Sequence, residues 1–211
     1  MNGEKKKALG EILIFLIIDV CVLVFGNKLT IYFLENNWKW DILLEPVITI
    51  IQIVSVFVPL LIYKDKEFNL GFSKSKLWVQ FLWGTVLFAG MLLIFKLFGY
   101  SCEGQPFEFN SILGFAIWNA FSAAITEELA YRGLLFTRFK TFSGNTIASI
   151  AVSAVLFGAS HFMVGDINHI IMSTITGFLL CSARAYLKNC TLISTMFAHF
   201  LYDFLMCYIA I

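Results

Sequence analysis

Runs of about twenty apolar residues follow one another along this chain, parted by short polar stretches, and each is long enough to cross the hydrocarbon of a bilayer. Seven spans can be counted. The first begins at Ile12, is interrupted at Asn27 and Lys28, and resumes as LTIYFL; the others cover roughly 43–63, 77–100, 112–139, 146–162, 167–187 and 192–211. Only 14% of the 211 residues are charged, against about 25% in a soluble domain. The expected fold is therefore all-α, a polytopic transmembrane helix bundle of about seven spans, with membrane lipid as its first partner.

Lys5, Lys6 and Lys7 ahead of the first run have the look of a signal peptide, but no A-x-A-like cleavage site follows, so an uncleaved first span is expected. Lys64, Lys66, Lys74 and Lys76, then Arg138 with Lys140, then Arg184 with Lys188, fall in alternate loops, whereas 38–45 and 101–108 are acid-rich. The positive-inside rule then places the chain in the cell membrane with a cytoplasmic N-terminus. Pro46 and Pro59 lie near the ends of the second span, where neighbouring helices can satisfy a freed carbonyl. No linker, repeat or low-complexity tract breaks the series, so residues 1–211 are expected to form one domain. The net charge of +1 and the lack of a basic patch offer nothing to nucleic acid. Cys21, Cys102, Cys181, Cys190 and Cys207 contain no C-x-x-C pair, and neither a disulfide framework nor a zinc finger is indicated.

Against this apolar background the sequence SAAITEELAYRGLLFTR, residues 122–138, sets Glu127, Glu128 and Arg132 inside a span. Ionisable groups rarely enter a bilayer without a partner and a role. On a helix, the i, i+4 spacing lets Glu128 pair with Arg132, while Glu127 points about 100° away. One carboxylate can be held as a structural anion and the other left for chemistry. The competing reading, a solvated helix end, is weakened by matching polar residues in later spans. His161 ends FGASH, four residues after Phe157, and His199 opens HFLYD with Asp203 one turn on. Counted from the turn near 142–145, Glu127 and His161 lie about 24–27 Å deep; counted from Asn189, His199 and Asp203 lie about 15 and 21 Å deep. Four ionisable groups from three helices thus fall within a few turns of one level, as a site requires.

Other polar residues receive plainer readings. Asp19 in the first span is equally well explained as a carboxylate satisfied by a neighbouring helix or as a functional group. His169, just after Gly165 and Asp166, is expected at the opposite interface. Asn119, Thr126, Ser160, Ser173, Thr174 and Thr176 are expected to hydrogen-bond between helices, with Ala123 and Ala124 allowing close approach. No G-x-S-x-G, H-E-x-x-H or P-loop pattern occurs.

Taken together, E-E-x-x-x-R (Glu127, Glu128, Arg132), F-x-x-x-H (Phe157, His161) and H-x-x-x-D (His199, Asp203) resemble the CPBP intramembrane protease family, also called the Abi or CAAX-protease-like family, which includes the type II CAAX prenyl endopeptidases. The run RGLLF from Arg132 to Phe136 also resembles the family's continuation, and the resemblance covers a core at about 111–207. The first three spans contribute no motif. The prenyl-protease pattern usually ends in Asn where this chain has Asp203; an amide donates a hydrogen bond at any pH, a carboxylate only when protonated.

The resemblance implies an endopeptidase that cleaves a membrane-associated peptide or protein. Glu127 would act as general base towards water with help from His161, His199 and Asp203 would line the developing oxyanion, and Glu128 with Arg132 would support the site. No cofactor is expected in this reading. The alternative is a metalloprotease with zinc held by Glu127, His161 and His199. Outside proteolysis stand a non-enzymatic membrane role of the bacteriocin-immunity or scaffold type and a small proton-coupled transporter. The latter lacks the internal repeat that such folds carry.

Overall fold

A computed structural model of the chain describes residues 2–36, 41–65, 70–73, 76–99, 121–163 and 165–206. The acid-rich stretch 101–108, the start of the fourth span and of the core expected at about 111–207, Cys102, Asn119 and Cys207 lie outside the described residues. So do Lys66 and Lys74 of the basic loop.

Every described regular element is helical. Helix α1 is Gly3–Glu35, α2 is Asp41–Ile62 and α3 is Leu77–Leu97. Helix α4 runs over 121–143 in three continuous parts: α-helical Phe121–Glu127, π-helical Glu128–Leu135 and α-helical Phe136–Ser143. Helices α5, Thr146–Ser160, α6, Ile167–Tyr186, and α7, Leu192–Met206, complete the bundle. By length and composition, Gly3–Phe33, Leu77–Leu97 and Thr146–Met163 can cross a membrane, and Pro46–Ile62 and Leu192–Leu205 are shorter apolar helices.

The distribution of side chains is that of a membrane protein. Ile17, Phe25, Leu61, Trp78, Leu97 and Ile147 are exposed, while Glu11, Gln80, Glu128, Arg132, Ser149 and Thr195 are fully buried. In lipid the cost of exposing a polar group exceeds that of exposing an apolar one, so the charged residues turn inwards. The main core joins Ile12 and Phe15 of α1, Val56 and Leu60 of α2, and Leu134 and Leu135 of α4, with Phe157 and Leu192. A second cluster joins Leu87 and Met91 of α3 to Leu180 and Ala198.

Small residues set how closely helices approach. A Cβ on Gly158 would lie 2.8 Å from the Ile170 carbonyl, and one on Gly84 would lie 2.9 Å from the Ser194 carbonyl. These glycines let α5 meet α6 and α3 meet α7 at backbone distance. The α4–α5 turn falls where expected: Gly144 takes the left-handed conformation (φ 70°) after α4, and Asn145 caps α5 by accepting from the Ala148 N–H at 3.1 Å.

Two expectations are corrected here. The fourth span is not a plain α-helix, because eight of its residues are π-helical. The Tyr131 carbonyl accepts both the Phe136 N–H, five residues on, and the Ser153 hydroxyl of α5 at 2.5 Å. A carbonyl displaced from the α-helical ladder thus gains a partner from the next helix. Three of the expected interhelical hydroxyls, moreover, bond within their own helices. Thr126, Thr174 and Thr176 donate to carbonyls four residues back, at 3.0, 2.8 and 3.1 Å. A hydroxyl on a helix always has such a carbonyl within reach.

The alternate basic loops converge on one end of the bundle. Arg138 reaches Glu11 at 2.8 Å and pairs with Asp65, and Lys7 lies 3.6 Å from Asp65. Arg184 donates to the Leu70 carbonyl at 3.0 Å and to Thr137 at 3.2 Å. The N-terminus and the ends of α2, α4 and α6 therefore share one side.

Candidate active site

The π-helical segment opens with Glu128, which carries no exposed surface and uses one oxygen twice. Its Oε1 lies 3.1 Å from Arg132 Nη1 and 3.0 Å from His199 Nδ1 of α7. The expected Glu128–Arg132 pair is present, and the histidine is an addition to it. Among the described residues none of the Arg132 guanidinium nitrogens has an aligned hydrogen bond, so the contact with Glu128 is an ion pair. The guanidinium carbon instead lies over the Phe157 ring, 3.9 Å from its centre, a cation–π contact whose value rises when water is excluded.

Phe157 joins the site together. Its ring meets Tyr131 edge-on with centroids 5.4 Å apart, His161 at 4.9 Å and His199 at 6.0 Å. The first residue of F-x-x-x-H is therefore the surface against which the arginine and both histidines rest. Spacing alone did not show this, although the buried Arg132 implies an aromatic or anionic neighbour.

Glu127 faces elsewhere. Its side chain is 30% exposed where that of Glu128 is closed off entirely, and its Oε2 lies 3.7 Å from His199 Nε2. The same nitrogen lies 3.4 Å from Asp203 Oδ2, and the Asp203 side chain is 25% exposed. Both ring nitrogens of His199 thus look at carboxylate oxygens. Only the imidazolium, with two N–H groups, can donate on both sides.

His161 opens a short 3-10 turn, His161–Met163, at the end of α5. Its Nδ1 lies 2.9 Å from the Phe157 carbonyl oxygen. Donation there fixes the proton on Nδ1 and leaves Nε2 as an acceptor in the neutral ring. His161 and Glu127 line the same cavity, of about 300 Å³, together with Ser160 and Met163. Glu127, His161, His199 and Asp203 are therefore brought into one region by α4, α5 and α7. Among the described residues no group of three or more His, Cys, Asp or Glu side chains is arranged to hold a metal ion.

Two further residues stand beside this group. His169 is exposed in the first turn of α6, as an interfacial residue would be, yet its ring centroid is only 5.0 Å from that of His161. The short connection after α5 folds its end back onto the start of α6, a proximity that depth counting treats as chance. Asp19 of α1 accepts from the Tyr131 hydroxyl at 3.0 Å, so a neighbouring helix does satisfy it. It also borders a cavity of about 30 Å³ with Gln52, Thr126, Glu127, Tyr131 and Ser160, about the volume of one water.

Residues 109–205 match the family model described as type II CAAX prenyl endopeptidase Rce1-like. No curated protein and no solved structure matches the chain. The matched stretch contains Glu127, Glu128, Arg132, Phe157, His161, His199 and Asp203, and across it the chain is similar to the type II CAAX prenyl endopeptidases.

Proposed function

We propose that the chain hydrolyses a peptide bond of a membrane-associated peptide or protein, with a water activated by Glu127. The observation that carries this reading is the division of labour between adjacent carboxylates. Glu128 is sealed against Arg132 and His199, while Glu127 opens onto a cavity that His161 also borders. A general base must reach both water and substrate, and only Glu127 of the two does so.

In this account Glu127 takes a proton from the water while His161 Nε2 accepts a hydrogen bond from it and fixes its direction. The resulting hydroxide adds to the carbonyl carbon, and the charge moves to the carbonyl oxygen. His199 supplies a donor there through Nε2, with Nδ1 held by Glu128 at 3.0 Å. That anchoring keeps the ring from turning, in the manner of a buried carboxylate behind a catalytic imidazole. Asp203 adds a second donor when protonated. Glu127 then returns the proton to the leaving amine as the C–N bond breaks. No covalent enzyme intermediate and no metal ion enter these steps.

The test compares wild type with Glu127→Gln on a panel of membrane peptides in liposomes, read by mass spectrometry. The amide keeps the volume and removes the base, so turnover should fall at least about 100-fold with folded yield unchanged. Cleavage by Glu127→Gln at the wild-type rate would remove Glu127 from the chemistry. No cleavage by wild type would favour a non-enzymatic role.

A further inference from the structure

The cavity bordered by Glu127 and His161 has a second wall, outside the stretch that matches the family. Helix α1 contributes Leu23, Asn27 and Thr30 to it, and α2 contributes Ile48, Thr49 and Gln52. Asn27 follows Leu23 by one helical turn, and Gln52 follows Ile48 likewise, so one face of each helix looks into the site. Both helices otherwise present apolar residues outwards, with Phe25, Leu29, Ile50 and Val54 exposed.

Amide side chains are costly at such a place unless they are hydrogen-bonded. Among the described residues neither Asn27 nor Gln52 has a side-chain hydrogen-bond partner, and both border the cavity. Thr30 already donates to the Gly26 carbonyl at 3.1 Å, which leaves its oxygen free only to accept. The wall therefore offers two carboxamides, each with a donor and an acceptor, facing the region where a scissile bond must lie. A peptide group presents the complementary pair, one N–H and one C=O.

The occupant's conformation follows from bonding. A helical segment satisfies its own backbone groups and has nothing to offer the amides except at its ends. A lipid chain offers them nothing at all. An unwound segment leaves its N–H and C=O groups open.

We propose that Asn27 and Gln52 form a substrate subsite that binds the backbone of a locally unwound, uncharged peptide segment beside the scissile bond, so that α1 and α2 select substrates by how readily they leave the helical state. The inference rests on the proteolysis reading above. Water serves the two amides in the free enzyme, and the peptide backbone replaces it on binding.

The test uses the full chain in liposomes and two synthetic peptides, each a 20-residue Leu-rich segment with Lys flanks, one centred on Gly-Gly and the other on Ala-Ala. Each glycine weakens the helix relative to alanine, so the Gly-Gly peptide should be cleaved with the lower KM. Asn27→Leu and Gln52→Leu should each raise KM about three- to tenfold, the range of one net hydrogen bond, with kcat within about twofold. Their melting temperatures should not fall, because leucine suits the membrane and no protein bond is lost; a structural amide would show the opposite. Unchanged KM in both variants would overturn the subsite, and equal KM for the two peptides would overturn selection by unwinding. If wild type cleaves neither peptide and Glu127→Gln behaves identically, the proteolysis reading fails, and the subsite with it.

Discussion

Glu128 shares one carboxylate oxygen between Arg132 and His199, at 3.1 and 3.0 Å, and the consequences of cutting either contact differ. Arg132→Ala leaves a fully buried carboxylate without its cation and removes the guanidinium from the face of Phe157. Breaking a buried pair from one side costs about 3–5 kcal/mol. Folded yield and activity should therefore fall together, as size-exclusion chromatography of detergent extracts and the peptide assay would show; full yield would mean that the ion pair contributes little. Asp203→Asn probes the other side of His199. If His199 and Asp203 meet an oxyanion, the amide is a permanent donor of the same size, and activity should survive both the substitution and strong chelators. In a zinc enzyme the lost carboxylate would weaken metal binding about 10–100-fold, and chelator inactivation with metal rescue would replace the metal-free mechanism. At this scale the sequence was legible where spacing fixes geometry: Glu128 with Arg132, and His199 with Asp203, are both one turn apart. It was silent where contact depends on the fold. Phe157 beneath Arg132 is a product of how α4 and α5 meet, and His169 beside His161 of how the end of α5 meets α6.

The π-helical stretch 128–135 is the clearest instance at the level of elements. The length of the apolar run at 112–139 foretold a helix across the whole of α4, and a helix is there. An extra residue per turn leaves almost no mark on periodicity, because its cause lies in a neighbour: Ser153 of α5 donates to the Tyr131 carbonyl at 2.5 Å, inside the core. Ser153→Ala removes that donor with little change of volume and leaves the carbonyl only the Phe136 N–H. An expected loss of about 1–3 kcal/mol would appear as a lower melting temperature in detergent. Activity should fall more than stability at the assay temperature, because Glu127 and Glu128 sit at the junction where the α-helix becomes π-helical. An unchanged melting temperature would show that the π segment is set by packing alone. The intrahelical bonds of Thr126, Thr174 and Thr176 carry the same lesson: composition reports that hydroxyls are available, and only packing decides which partner each one takes.

At the scale of the whole molecule, the family match covers 109–205, yet α1 is fastened to α4 at both depths of the bundle and the segment after α2 at one. Near the site, Asp19 of α1 accepts from Tyr131 of α4. At the end of the bundle, Arg138 of α4 lies between Glu11 of α1 and Asp65, just after α2, with Lys7 close by. All three of Glu11, Asp65 and Arg138 are buried. No motif marks these residues, since each looks like an ordinary loop or helix-end charge until the chain folds. Arg138→Met leaves the buried Glu11 and Asp65 carboxylates without the guanidinium that lies between them, and the expected cost is about 3–5 kcal/mol. The triple variant Glu11→Leu, Asp65→Leu, Arg138→Met removes the three buried charges and leaves the half-exposed Lys7, and it should recover most of that loss, because a well-packed apolar replacement of a buried network is often neutral or stabilising. Cleavage should return with the fold, since none of the three borders the cavity that holds Glu127 and His161. Melting temperature and peptide turnover, measured on wild type, the single and the triple variant, decide the matter. A triple variant that regains stability but not turnover would give the cluster a part in the reaction, and a single variant as stable as wild type would show that α1 and α2 are held by apolar packing alone.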